Sequence, residues 1–249
     1  RKNVNMKPFN QKGFEYLIKA KQSNIKKYLA ENLPKKFGKD NVTVTDDYIF
    51  CKGEIPIMVV CHMDTVHKQI VKDLYVTYPI DNKDLVYLSS PQGIGGDDRC
   101  GVYAAIYLIN NCDKKPYFLF TTDEEIGCVG AKQAVKDLKK EIVDGKKHAL
   151  KYMIEFDRHG EKEVVYYDTT NKDFMEYVES FGFERKIGSS SDVRHLSNSW
   201  GIASCNVSSG YYDEHKTTES VCPTHMMAQI GRVMKMINDV DKAKFFSNK

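Results

Sequence analysis

The chain has no apolar run approaching the roughly 20 residues that a membrane-spanning helix needs. Its first residues, Arg1-Lys2-Asn3-Val4-Asn5, lack the apolar core of a secretory signal. No two cysteines stand in a C-x-x-C pair, and their number, seven, is odd. Cys51, Cys61, Cys100, Cys112, Cys128, Cys205 and Cys222 therefore read as reduced thiols, and a cytoplasmic location is expected. Charge of one sign is not in excess. The 37 Lys and Arg residues nearly balance 34 Asp and Glu, and they are scattered. That speaks against a nucleic-acid surface, and neither a nucleic acid nor a membrane is an expected partner. Internal repeats and low-complexity linkers are missing too, so residues 1–249 are expected to form one domain with an ample core.

What is present is an alternation of strand and helix patterns. Apolar residues at near-helical spacing run from Phe14 to Leu33, and Pro34 is expected to stop that helix. Val42-Thr43-Val44 and Tyr48-Ile49-Phe50-Cys51 flank Asp46-Asp47 as a hairpin. Ile55 to Cys61 is nearly continuously apolar, as in a central strand buried on both faces. Further strands are expected at 85–88, 117–120, 152–156, 164–167 and 202–207. Helices are expected at 100–109, 131–138, 174–181 and 224–240, and residues 144–147 read as a polar loop. This pattern predicts an α/β fold: a three-layer α/β/α sandwich with a mixed, mostly parallel central sheet.

Five patches carry the chemistry: His62-Met63-Asp64, Asp97-Asp98-Arg99, Asp123-Glu124-Glu125, Asp157 and His215. All but the last follow a strand-like run or its exit loop, and open α/β sheets place their sites at the C-terminal ends of strands. His62 and Asp64 stand two apart, so strand geometry can put both side chains on one side. Asp64 could then take the second ring N–H of a metal-bound His62. Gly93-Ile94-Gly95-Gly96 lacks the dinucleotide-binding spacing. The aspartates after it could bridge two cations or cap the following helix. Adjacent carboxylates at 123–125 repel unless a cation or proton intervenes. A division of labour, one ligating metal and one carrying a proton, would resolve this.

In this order the motifs resemble the co-catalytic di-zinc peptidases, the group of aminopeptidases, peptidase T and glutamate carboxypeptidases. The matching stretches are His62-Met63-Asp64-Thr65-Val66, Asp97-Asp98-Arg99-Cys100-Gly101, Glu124-Glu125-Ile126-Gly127, Asp157 and Tyr211-Tyr212-Asp213-Glu214-His215. The resemblance implies two divalent ions, zinc with cobalt or manganese as alternatives. His62 and Asp157 would bind one, Glu125 and His215 the other, and Asp97 would bridge them. Asp64 would orient His62, and Glu124 would be the general base acting on a metal-bridging water. An aspartate at position 157 tilts the expectation toward an aminopeptidase or dipeptidase. The intervals 62–97 and 157–215 are too short for the lid or dimerisation domains that relatives insert, so a bare catalytic domain is expected, its oligomeric state unspecified.

Four further features carry expectations of their own. Tyr211 and Tyr212 could line the substrate pocket or simply pack. Gly188-Ser189-Ser190-Ser191-Asp192 reads as a helix cap that could alternatively touch substrate. Arg158-His159 reads as a surface turn or an anion contact at the mouth. Cys61 should face away from His62 into the core. The rivals to a peptidase are a deacylase or amidase acting on a non-peptide amide, a single-zinc glutaminyl-cyclase-like enzyme, and a non-catalytic binding module.

Overall fold

The computed structural model describes residues 4–145 and 147–249. Two parts of the sequence reading extend beyond them: the start of the N-terminal stretch 1–5 and position 146 of the loop 144–147. The chain begins with α1 (Gln11–Lys19), α2 (Gln22–Phe37), β1 (Val42–Val44), β2 (Tyr48–Cys51) and β3 (Ile55–His62). Two strands of a small second sheet follow, β4 (Tyr75–Thr77) and β5 (Tyr87–Ser89), then α3 (Gly96–Asn111) and β6 (Pro116–Thr121). Next come α4 (Val129–Asp137), α5 (Lys139–Ile142), the short pair β7 (Val143–Asp144) and β8 (Lys147–His148), β9 (Tyr152–Arg158) and β10 (Glu163–Val165). The last third holds α6 (Lys172–Glu179), β11 (Glu184–Arg185), α7 (Asp192–Trp200), β12 (Ser204–Ser208), β13 (Tyr211–Tyr212), β14 (Ser220–Val221) and α8 (Pro223–Asn238).

Eight strands form the main sheet in the order β1-β2-β6-β3-β9-β12-β10-β11. Its centre, β6-β3-β9-β12, is parallel, while β1, β2 and β10 join antiparallel. The predicted mixed, mostly parallel sheet is therefore present. Alternation along β3 divides the interior in two. Ile57, Val59 and Cys61 pack with residues of α1, α2, α3, α6 and α8. Met58 and Val60 pack on the other face with α4, Leu138, Ile142 and α7. Helices thus cover both faces; β3 is apolar until its last residue, His62, whereas β9 and β12 bury Glu155, Ser204 and Asn206 within their length. Among the described residues no helix is long and apolar enough to cross a membrane.

Two expectations need correction. The helix predicted from 14 to 33 is two helices, broken at Ala20-Lys21. Arg99 donates from Nη1 to the carbonyls of Leu17 (2.7 Å) and Ala20 (2.8 Å), which gives the end of α1 partners other than a continuing helix. Pro34 does not stop α2. It sits in the last turn, and the helix runs to Phe37, where Gly38 takes φ 86°. The small sheet β13-β14-β5-β4 is largely new, since only 85–88 was read as a strand.

Close packing of α3 on β9 depends on Gly101. A Cβ there would lie 2.2 Å from Asp98 Oδ2 and 2.3 Å from the Phe156 carbonyl oxygen. Gly101→Ala is expected to destabilise the fold by about 1–3 kcal/mol. Urea unfolding would show a lower midpoint with an unchanged slope.

Candidate metal centre

The parallel strands deliver their C-terminal ends to one edge, and the chemistry collects there. His62 is the last residue of β3, and Asp157 lies one residue before the end of β9. Glu124 and Glu125 follow β6, while Asp97 opens α3 after the glycine-rich loop. His215 follows β13. All five proposed ligands converge. His62 Nε2 lies 3.0 Å from Asp97 Oδ1 and 3.4 Å from Asp157 Oδ1. His215 Nε2 lies 3.1 Å from Asp97 Oδ2 and 3.1 Å from Glu125 Oε2. The two carboxylate oxygens of Asp97 therefore face two different imidazoles. Glu124 stands beside them, with Oε2 4.0 Å from His62 Nε2.

Electrostatics explain why such a cluster suits a cation. Burial pushes Glu124 up to about 8, with the Asp157 charge adding to it. Burial and Asp97 push Glu125 up to about 7 and Asp157 to about 6. Burial also raises Asp97, but hydrogen bonds from His215 and His62 outweigh it, and the net shift is downward. A buried oxygen of Glu125, Oε1, has no hydrogen-bond partner. His62, Asp97 and Asp157 offer ligand atoms within 4.8 Å of one another, and so do Asp97, Glu125 and His215. Mixed imidazole nitrogen and carboxylate oxygen donors suit zinc, with cobalt and manganese also accommodated. The residues present fit divalent metal.

A ring of supports holds these groups. Asp64 Oδ1 lies 3.1 Å from His62 Nδ1, the partner that fixes the imidazole tautomer. The same carboxylate accepts from the backbone N–H groups of Glu124 (3.1 Å) and Glu125 (3.0 Å), so it ties the β3 exit to the β6 exit. Asp98 is fully buried and caps α3 by accepting from Gly101 N–H, while its second oxygen accepts from His62 N–H. The capping alternative thus applies to Asp98, and Asp97 is left free to face the imidazoles. Glu219, also fully buried, accepts from Gly95 N–H and Asp97 N–H at 2.9 Å each and lies 2.8 Å from His67 Nε2. Asp157 receives Ser191 Oγ at 2.6 Å and Tyr211 OH at 3.2 Å, and Asn206 bonds both its backbone groups.

Several sequence expectations change here. Ser191 precedes α7 but makes no side-chain cap; its hydroxyl goes to Asp157 instead. Tyr211 lines the cavity of about 400 Å³ over the cluster. Tyr212 does not: its hydroxyl pairs with His225 and its ring packs on Tyr87 and His225. Arg158 and His159 line the same cavity and pair with Glu163 and Glu214. Cys61 packs in the core, away from His62, and all seven cysteines are free thiols and buried. Glu219, His67, Asn206 and Ser191 as a support were missed. Each is a lone polar residue remote in sequence from what it holds, and no spacing marks it. In the folded chain, Asp123, Cys128, Tyr167, Asp213 and His215 take φ between 51° and 66°, a strained conformation that clusters at functional loops.

Comparison with known proteins follows from this geometry. Residues 87–144 match the model of the M42 glutamyl aminopeptidase family. The search of curated proteins gave no match. Among solved structures, the aminopeptidase PepT of Bacillus cereus superposes with a TM-score of 0.63 at 15% identity, covering 92% of this chain and 97% of that one. A tripeptidase of Staphylococcus aureus gives 0.63 at 14% identity, with the same coverages of 92% and 97%. An aminopeptidase from the archaeon Desulfurococcus kamchatkensis gives 0.61 at 13%, covering 94% of each chain. The fold is that of these aminopeptidases. The resemblance read from the five motifs thus extends to a family match over 87–144 and to the architecture of nearly the whole chain.

The carboxylate cluster sets a pH dependence. A group whose pKa the fold raises favours folding below its ordinary pKa, and that contribution is lost as pH climbs through the raised value. Glu124, Glu125 and Asp157 have this sign, as does His215, raised to about 9 chiefly by its hydrogen bond with Asp97. Asp97 and Asp64 have the opposite sign but act below their ordinary value of 3.8. Metal-free protein should therefore melt at progressively lower temperature as pH rises from about 5 to about 9. Saturating zinc should remove most of that slope. Calorimetry with and without chelator reads it, and a flat metal-free profile would contradict the assignment.

Proposed function

We propose that the protein is a metal-dependent hydrolase of peptide bonds, an exopeptidase of aminopeptidase or dipeptidase type. One observation carries the reading: Asp97 is shared between two imidazoles, while Glu124 lines the cavity beside His62 and belongs to neither ligand group around Asp97. In this reading His62 and Asp157 hold one divalent ion, Glu125 and His215 the other, and Asp97 both. Zinc is the first choice of metal, with Co²⁺ and Mn²⁺ alternatives. The metal, when bound, polarises the scissile carbonyl and makes water acidic enough to act as a nucleophile near neutral pH.

The chain's own groups do the rest. Glu124 accepts a proton from the attacking water and returns it to the leaving amine. Burial raises the Glu124 carboxyl above its ordinary range, which favours a group that must both take and return a proton. Asp64 holds the His62 ring and, through the backbone of 124–125, fixes the base relative to that ring. Tyr211 keeps Asp157 aligned, with its hydroxyl 3.2 Å from Oδ1.

The family matched over 87–144 is one of glutamyl aminopeptidases, and the similar structures are aminopeptidases and a tripeptidase. These names support a peptide substrate over the amidase, cyclase and binding-module alternatives. All five proposed ligands and the base come from one chain. A cytoplasmic location completes the reading, supported by seven unpaired, buried cysteines.

Glu124→Gln should lower turnover by about 10²-fold or more while metal content stays at the wild-type level. Asp97→Ala should lose both turnover and metal. A panel of short peptides, free and N-acetylated, read by product release with and without chelator, tests the class. Cleavage confined to free amino termini is the expected result. Cleavage of acetylated substrates alone would favour a deacylase, and full activity of Glu124→Gln would remove the assigned base.

A further inference from the structure

Behind the proposed base lies a second acidic pocket that the reaction does not use. Glu155 and Asp192 are fully buried. Among the described residues neither is paired with a lysine or arginine. Thr121 Oγ1 donates to Asp192 Oδ2 in a short bond, and Val193 N–H donates to Glu155 Oε2 at 3.1 Å. The Cys128 thiol stands close to Asp192 and the Ser191 hydroxyl close to Glu155; Asp192 Oδ1 and Glu155 Oε1 otherwise have no hydrogen-bond partner. Burial raises both carboxyls, Asp192 to about 6 and Glu155 well above the usual range. Cys128 completes the pocket. It follows Gly127 in a left-handed turn (φ 55°), which brings its thiol back to Glu124, with Sγ 3.4 Å from Oε1. A Glu124 oxygen, Cys128 Sγ and an Asp192 oxygen lie within 4.8 Å of one another. Glu124 and Cys128 line the open cavity, so a solute ion can reach them.

We propose that Glu124, Cys128 and Asp192 form a third cation site, taking thiophilic divalent ions, whose occupancy ties up Glu124 and inhibits hydrolysis. Sulfur is what distinguishes it. A thiolate ligand favours Zn²⁺, Cd²⁺ and Co²⁺ over Mn²⁺ and Mg²⁺, whereas the main cluster has only nitrogen and oxygen donors. Binding displaces the Cys128 proton, and any proton held by Asp192 or Glu124, to solvent. The dication then meets a thiolate and two carboxylates, with His62 the nearby imidazole and Lys132 and His195 on the wall of the adjoining cavity. With its oxygens on a cation, Glu124 cannot accept the water proton. The inhibition rests on the hydrolase reading, and the binding does not.

Cobalt separates the two. Co²⁺ titrated into metal-free protein should give a thiolate-to-cobalt charge-transfer absorption in the near ultraviolet. The absorption should correspond to one sulfur ligand per chain and be absent in Cys128→Ser and Cys128→Ala. Excess Zn²⁺ should slow wild-type peptide hydrolysis about tenfold or more, a fraction of what a general base contributes. Excess Mn²⁺ should not slow it, and Cys128→Ala should resist zinc. No charge-transfer band at any loading, or an equal band in Cys128→Ala, would overturn the site. A band without zinc inhibition of an active enzyme would overturn its inhibitory role. If no peptide is cleaved at any metal loading, the hydrolase reading falls, and the band alone decides whether the site exists.

Discussion

The organising constraint in this molecule is repulsion among carboxylates. Asp64, Asp97, Glu124, Glu125 and Asp157 crowd together at one sheet edge, with His62 and His215 set among them. In a medium of low effective dielectric, like charges at such separations raise one another's pKa and oppose folding. Hydrogen bonds relieve part of this, as the downward shift of Asp97 shows. The rest calls for protons or for divalent cations, and the alternation of imidazole and carboxylate around Asp97 is arranged for cations.

The fold can hold such a cluster because its supports are themselves buried and tied to the backbone. Each support joins elements distant in sequence. Asp64 links the exits of two parallel strands, Asp98 links an α3 cap to the His62 backbone, and Glu219 clamps the glycine-rich loop on either side of Gly96. The small second sheet contributes at this level, since β13 carries Tyr211 to Asp157 and β14 begins just after Glu219. A charged side chain that accepts two or three good hydrogen bonds in the interior fixes geometry more stringently than packing alone. Loss of any one support would leave buried donors unsatisfied, at a cost of about 1–3 kcal/mol apiece.

How much of this could be read from the chain follows from the range of the forces involved. Strand positions were legible because a strand covered on both faces must be apolar along its length, as β3 is from Ile55 to Cys61. The proposed ligands were legible as candidates because open α/β sheets place polar residues at strand ends, where His62 and Asp157 stand out against apolar runs. Their supports were not. Glu219 lies 122 residues from the Asp97 N–H it accepts, and Asn206 lies 49 from Asp157. Nothing local in either stretch departs from an ordinary polar position. Ser191 has the composition of a helix cap, but its hydroxyl finds a better acceptor in Asp157. The break between α1 and α2 was invisible for the same reason, because Arg99, which claims the carbonyls of Leu17 and Ala20, comes some eighty residues later.

Glu124 sits where two environments meet. On one side is the cavity with His62 and Asp157, and on the other the pocket of Cys128 and Asp192. A general base needs a raised pKa and room to move a proton, and burial beside other acids supplies the first. The same acids that raise its pKa also make its surroundings attractive to any cation that enters. The thiol at Cys128 converts that general attraction into a preference for particular metals. A site built to use metal therefore carries, within hydrogen-bond reach of its base, the means of responding to too much of it.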